Sequence, residues 1–259
     1  SARGTAWAPV QLWQLASHCS GASAIPTGEI EELYDGLLKM RLSSDVSNLD
    51  SIRELEGDLV KALFLQEPCN PANKTMYSDL GYWILGLVLE EVWGVPLDQA
   101  FHDHVVQPLE LVDELTFFRW KPSAVASAHP FSRGPSKARS VVSTMACPRR
   151  QRTLTGEVHD PLCWALGGVA GHAGLFGTLY GVYRLTSEWL AAFRGKDSIF
   201  HSGTITKFWT RQRLPRDTTW ALCWDTPSAQ GSTAGERWSR SGVGHLGFTG
   251  TSIWVDLKE

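Results

Sequence analysis

The stretch YSDLGYWILG, residues 77–86, decides how the rest of this chain is read. Tyr77 stands directly before Ser78 and Asp79, whose side-chain oxygens suit the first turn of a helix. There the free N–H groups and the positive end of the macrodipole favour them. The apolar run that follows predicts a helix from about Ser78 to Val92. A tyrosine at such a junction projects its phenol from a rigid turn. Positive charge and the helix N-terminus nearby would favour the phenolate, the form a general base needs. Taken alone, the same residues favour a plainer alternative, a tyrosine packed on the core beside its cap.

Toward the N-terminus, QLWQLASHC (11–19) carries apolar residues at helical spacing, with Gly21 as a stop. Residues 28–42 and 51–66 predict two amphipathic helices, and a Pro/Asn loop over 68–75 leads to Tyr77. Beyond the central helix, Leu97 to Val106 predicts another, ended by Pro108. Residues 121–156 lack periodicity and predict a long surface excursion. A helix is expected from Tyr180 to Phe193. In the last third, ALCWDT (221–226), GVGHLG (242–247) and TSIWVD (251–256) predict short strands. Helices first and strands last give an α/β (α+β) expectation. A helical region covers 1–215, and a partial antiparallel sheet covers 216–259.

Composition narrows the function classes. A formal charge of -3 and a pI near 6.2 provide no basic field for nucleic acid or anionic lipid. The five cysteines (Cys19, Cys69, Cys147, Cys163, Cys223) are scattered and form no CxxC pair, which argues against a disulfide scaffold or zinc site. The longest apolar candidate for a membrane span, Gly81 to Val92, is too short and contains Glu90 and Glu91. The opening SARGTAWAPV lacks the pattern of a signal peptide. A start without methionine and a close on DLKE after a strand-like run suggest that both ends are cut.

Two further stretches carry chemistry. In GHLGFTGTSIWVD (244–256) a strand, a Gly-rich turn and a return strand would set His245 on an edge bordering a cleft. Small Gly247 would let a substrate backbone approach. Alone, this favours an ordinary hairpin with an exposed histidine. In GEVHDPLCWALGGVAGHAGLFGT (156–178) the glycines lack both a GK[ST] ending and the GxGxxG spacing, so close backbone packing is favoured over nucleotide binding. His159 and Asp160 suit a hydrogen-bonded pair, and His172 a buried ring held by backbone partners. A metal centre built on HDH (102–104) with His159, Asp160 and His172 is disfavoured, because residues two apart on a helix point to different faces. Neither a metal nor another cofactor is expected.

Together, and in this order, these segments resemble the β-lactamase-related serine hydrolases. That group includes class C β-lactamases, penicillin-binding proteins with D-Ala-D-Ala carboxypeptidase activity, and related esterases. LASHCSGA (15–22) is similar to the LLTHTSG stretch of one bacterial branch, and LCWDT (222–226) to its strand before the third motif. The resemblance runs through nearly the whole chain. It implies a β-lactamase/transpeptidase-like fold, an acyl-enzyme mechanism, and a small acyl or peptide substrate. Tyr77 matches the tyrosine of the Tyr-x-Asn element, with Asp79 in the asparagine position. His245 and Gly247 match Lys-Thr-Gly, with histidine for lysine and Leu246 for the hydroxyl residue. The resemblance thus implies catalytic roles for Tyr77, Asp79 and His245. It implies substrate contacts for Ser78, Gly247, Phe248 and Thr249, and makes His159 and Asp160 candidate cleft residues. The changes at 245 and 246 lean away from β-lactams and toward peptides or esters.

The nucleophile of this family lies in Ser-x-x-Lys, and no serine here has lysine three places on. Ser17 and Ser20 fall in the LLTHTSG-like stretch, downstream of the nucleophile helix. The expectation is a serine upstream of residue 1, leaving this chain inactive by itself. The alternative is a non-catalytic relative that binds peptidoglycan-like peptides or a protein partner. The resemblance also implies a periplasmic or cell-envelope setting. Oligomeric state is not legible.

Overall fold

The computed structural model describes residues 7–24, 29–43, 54–59, 62, 74–119 and 141–258. The chain runs α1 (Leu12–Ala16), α2 (Glu29–Leu42), α3 (Asp79–Trp93), α4 (Leu97–Phe101), β1 (Leu115–Phe117), β2 (Ala146–Cys147) and β3 (Arg152–Thr153). It continues with α5 (Pro161–Ala165), β4 (Leu175–Gly177), α6 (Leu179–Phe193), α7 (Ser202–Trp209), β5 (Val243–Leu246) and β6 (Ser252–Val255). Residues 54–59 and 62 are also helical; the rest of the helix expected over 51–66 lies outside the described residues, as do 121–140. The described strands form the antiparallel pairs β1–β4, β2–β3 and β5–β6, which together with the helices give the α+β class.

Helix α3 forms as its sequence dictates. The Ser78 hydroxyl accepts the Gly81 N–H at its start, and Gly94 closes it in the left-handed region, its N–H bonded to Glu90 O at 2.8 Å. The expected single helix over 97–106 is instead α-helical to Phe101 and π-wound over His102–Val106. It is bent by 73° against α3. No single described helix is long and apolar enough to cross a membrane.

One core joins Leu15, Leu80 and Trp83 to Val158, Leu162 and Trp164, so the α1–α3 wall packs directly on the 156–165 segment. Another joins Ala192, Ile205 and Trp209 to Val243 and Val255. The β5–β6 hairpin therefore shares its core with α6 and α7, across the boundary expected at 215/216. Two of the three described strand pairs also lie before that boundary.

ALCWDT differs from its expected strand. Ala221 N–H bonds Trp224 O at 2.8 Å, Cys223 sits at φ 63, and only Trp220 and Asp225 make bridges. The backbone groups a strand would pair are committed to helix ends. Leu222 N–H goes to Phe208 O and Cys223 N–H to Ala16 O. The turn thereby delivers Asp225 to Gly244, with which it exchanges N–H···O bonds of 2.7 and 2.9 Å.

The glycine run meets α3 backbone to backbone. A Cβ on Gly171 would lie 2.1 Å from Tyr82 O and 2.9 Å from Gly86 N. Gly36, inside α2, has open space around it. Gly171→Ala should therefore destabilise the fold by about 3 kcal/mol, because backbone cannot yield as a side chain does. Gly36→Ala should stabilise it by about 0.5–1 kcal/mol through the entropy of the unfolded chain. Urea-unfolding midpoints check both; equal shifts in the two variants would contradict the contact.

Candidate active site

The first turn of α3 fixes Tyr77 in place. Ser78 is 1% exposed, and its hydroxyl donates to Ser23 O at 2.6 Å while accepting the Gly81 N–H. Ser78 is thus a cap and does not line the groove. On either side of Tyr77 the backbone is held by one residue, His18: Met76 N–H bonds His18 O at 2.8 Å, and Ser78 N–H bonds His18 Nδ1 at 3.1 Å. The half-exposed Tyr77 ring lies 4.5 Å from His18, 6.1 Å from Trp220 and 6.3 Å from His245, centroid to centroid. Phenol and imidazole border the same groove, of about 1230 Å³.

The opposite wall is the β5–β6 hairpin, in which His245 pairs with Ile253 and Gly244 with Trp254. Gly247 N–H bonds Thr251 O at 2.7 Å, and Gly250, at φ 86, returns its N–H to Gly247 O. Phe248 and Thr249 are exposed at the turn and line the groove with Gly247. A Cβ on Gly247 would strike Thr251 Oγ1, and one on Gly244 the Trp254 ring, so both glycines are required by close packing. His245 Nδ1 is 2.6 Å from Leu246 O. A carbonyl only accepts, so Nδ1 carries a proton and donates it to this bond.

The floor comes from the 156–178 stretch. Arg150, buried against the Trp164 face, donates to Val158 O at 2.9 Å and His159 O at 2.6 Å, clamping that backbone. Asp160 caps α5: its Oδ1 accepts from Cys163 N–H at 2.7 Å and from His172 Nε2 at 3.0 Å. The expected His159–Asp160 pair is therefore replaced by Asp160–His172, and His172 is held by a carboxylate rather than by backbone. As the cap of α5, Asp160 turns its carboxyl back toward the helix start, while His159 is buried with neither ring nitrogen bonded among the described residues. Its ring lies 5.5 Å from Phe248. His159, Asp160 and His172 all line the groove.

The groove is lined by Asp79, Glu157, Asp160 and Asp225, and none of the described lining residues is lysine or arginine. Glu157 is paired from behind by Arg150, at 3.3 Å, and by Arg152, and Asp160 is paired with His172. Burial first, and then the charge and hydrogen bond of Asp79 and the charge of Asp160, push the Tyr77 phenol up to about 12. The phenolate expected from the helix N-terminus is not favoured, because the same turn that offers its N–H groups also carries Asp79. Burial likewise raises Asp79, against the pull of His172. Burial opposes ionisation of Asp160 too, but hydrogen bonds from His172 and the backbone of Cys163 and Leu162 outweigh it and hold the carboxyl below its usual range. His18, 2% exposed, is pushed down to about 3 by burial, with His245 adding to the effect.

Sequence reasoning missed His18, Trp220 and Arg150. His18 lies inside LASHCSGA, where the serines drew notice. Those serines are buried, the Ser17 hydroxyl donating to Trp13 O at 2.7 Å and the Ser20 hydroxyl accepting the Ala22 N–H. In HDH, His102 bonds the adjacent Asp103 and His104 stacks on Trp93; neither lines the groove.

A family model described as Beta-lactamase matches residues 1–259. A protein of Salmonella heidelberg (strain SL476) that bears the name D-alanyl-D-alanine carboxypeptidase is 31% identical over 198 residues. The match covers 72% of this chain and 43% of that relative, so the chain spans less than half the length of the curated relatives it matches. Among solved structures, EstCE1, described as a hydrolase with promiscuous acyltransferase activity, superposes with a TM-score of 0.60 at 21% identity, covering 96% of this chain and 64% of its own. The octameric penicillin-binding protein homologue from Pyrococcus abyssi gives 0.57 at 17% identity, covering 100% and 54%. At such identities the superpositions speak for the fold, which is that of the β-lactamases and penicillin-binding proteins. Matched along its whole length, this chain belongs to the beta-lactamase family.

Proposed function

We propose that the groove serves acyl transfer through an acyl-enzyme, on peptide or ester substrates whose groove-facing end is uncharged. The observation that carries this is the phenol of Tyr77 set 6.3 Å from the imidazole of His245 on opposite walls of one groove. In the proposed reaction a serine oxygen attacks the acyl carbon, and its proton passes through Tyr77 to the departing alcohol or amine. Water then adds to the acyl-serine, releasing the acid and returning the proton to the serine. Asp79 orients the phenol, and His245 lines the far side with Gly247, Phe248 and Thr249. His159 and Asp160 belong to the floor.

These 259 residues contain no Ser-x-x-Lys, so the nucleophile is assigned to that element elsewhere in the protein. The same element meets an electrostatic need. Held up to about 12 by burial and two carboxylates, Tyr77 is a poor base until a cation stands beside it. A lysine next to the serine is such a cation.

Substrate class follows from charge. The carboxylates that resist a phenolate also resist a substrate carboxylate, and His245 replaces the lysine that would attract one. The carboxypeptidase name of the Salmonella relatives favours peptides; the acidic lining favours peptides or esters with a neutral group at this end. The absence of Ser-x-x-Lys from the chain favours a second reading, a groove that binds such peptides without turnover.

The full-length protein should be labelled covalently by an uncharged fluorophosphonate probe, and Tyr77→Phe should slow labelling by about 100-fold. Mass spectrometry of the adduct and its rate of formation check this. An unchanged rate removes Tyr77 from the role, and no adduct at all favours the non-catalytic reading. Between two otherwise identical nitrophenyl esters, the one bearing a free carboxylate should show kcat/KM at least about tenfold below its methyl ester at low salt. The gap should narrow as ionic strength rises. A carboxylate ester turned over as well as its neutral twin would refute the charge assignment.

A further inference from the structure

We infer that His18 is the positioning residue for Tyr77, acting as a neutral hydrogen-bond acceptor that clasps the backbone on both sides of the tyrosine while its ring backs the phenol. What Tyr77 does once positioned rests on the acyl-transfer reading; the clasp itself does not.

Two bonds from one residue bracket the tyrosine. His18 O takes the N–H of residue 76, and His18 Nδ1 takes the N–H of residue 78. A backbone N–H can only donate, so Nδ1 holds a lone pair and the proton of the neutral ring sits on Nε2. Nε2 is enclosed, with no partner among the described residues. The ring lies between Tyr77 and Tyr82, at 4.5 and 4.8 Å, with Trp220 meeting it at 4.4 Å and 70°. Surroundings of this kind keep it uncharged, in line with a pKa pushed down to about 3.

The segment carrying His18 is itself pinned. Ala16 O receives the Tyr82 hydroxyl at 3.1 Å and the Cys223 N–H at 2.8 Å, so α3 and the 221–224 turn hold the loop from two directions. His18 adopts φ 55, a conformation asparagine tolerates better than most residues. Phenylalanine would fill the space yet leave the Ser78 N–H unpaired in a buried site. Asparagine would return an acceptor near the position of Nδ1 without the stacked ring. The acceptor is therefore separable from the packing.

Nitrogen NMR of the histidine side chains in the full-length protein tests the clasp directly. His18 should show an unprotonated Nδ1 at neutral pH and still at about pH 5, where an ordinary imidazole is charged. A protonated Nδ1 overturns the proposal. In ester turnover, His18→Phe should lower kcat by about tenfold or more with KM within about twofold, since a misplaced group affects the step and not the binding. His18→Asn should recover most of that loss. A Phe variant with the wild-type kcat, or an Asn variant no better than Phe, overturns the positioning role. If His18→Phe does not fold, the nitrogen spectrum and the Asn variant decide. A wild-type protein with no turnover defeats the acyl-transfer reading instead and leaves the clasp to the spectrum.

Discussion

The approach of Gly171 to α3 is the constraint on which the groove depends. With no side chain at position 171, the glycine run lies against the carbonyl of Tyr82 and the backbone of Gly86. That contact fixes the next residue, His172, whose Nε2 then reaches Asp160 at 3.0 Å. Asp160 in turn caps α5, the short helix whose Leu162, Cys163 and Trp164 enter the core shared with α3. A backbone contact, a side-chain hydrogen bond and a helix cap thus form one closed circuit around the floor of the groove. Loosening any of them shifts the charge of Asp160 relative to Tyr77.

The circuit has an electrostatic consequence. Asp160 stays ionised because it accepts several hydrogen bonds, and its charge, with that of Asp79, bears on the phenol. A phenol so placed holds its proton tightly, and its phenolate becomes available as a base near neutral pH only when a neighbouring cation stabilises it. In the proposed reaction that cation is the lysine of the Ser-x-x-Lys element. Geometry and charge make separate demands here, and the residues that satisfy the first create the second.

Features written in consecutive residues were legible in the sequence. Helix α3, its Ser78 cap and the β5–β6 hairpin each follow from local pattern, and the hairpin turn needs only the glycines at 247 and 250. Features that depend on distant partners were not. Nothing near ALCWDT says that Phe208 O and Ala16 O will take the N–H groups a strand would use. Pairing of β1 with β4 joins segments about sixty residues apart, and the switch to π winding after Phe101 leaves no mark in the apolar spacing. In the site, Tyr77, Asp79, Asp160, His245 and Gly247 were found from motif, and all line one groove. Ser78 was assigned outward because capping residues and ligand contacts draw on the same hydroxyl. His18 was passed over because a lone histidine at the end of a short helix has no periodicity to betray it.

The two histidines nearest Tyr77 use the same ring atom in opposite senses. His18 accepts a backbone N–H at Nδ1, and so carries its proton on Nε2. His245 donates from Nδ1 to Leu246 O. One ring is fixed by what donates to it, the other by what accepts from it. A lysine in place of His245 would present donors and a full positive charge, attracting a carboxylate. In the proposed reaction, then, the hairpin wall lacks the lysine that would draw a carboxylate, and the groove carboxylates unpaired among the described residues repel one.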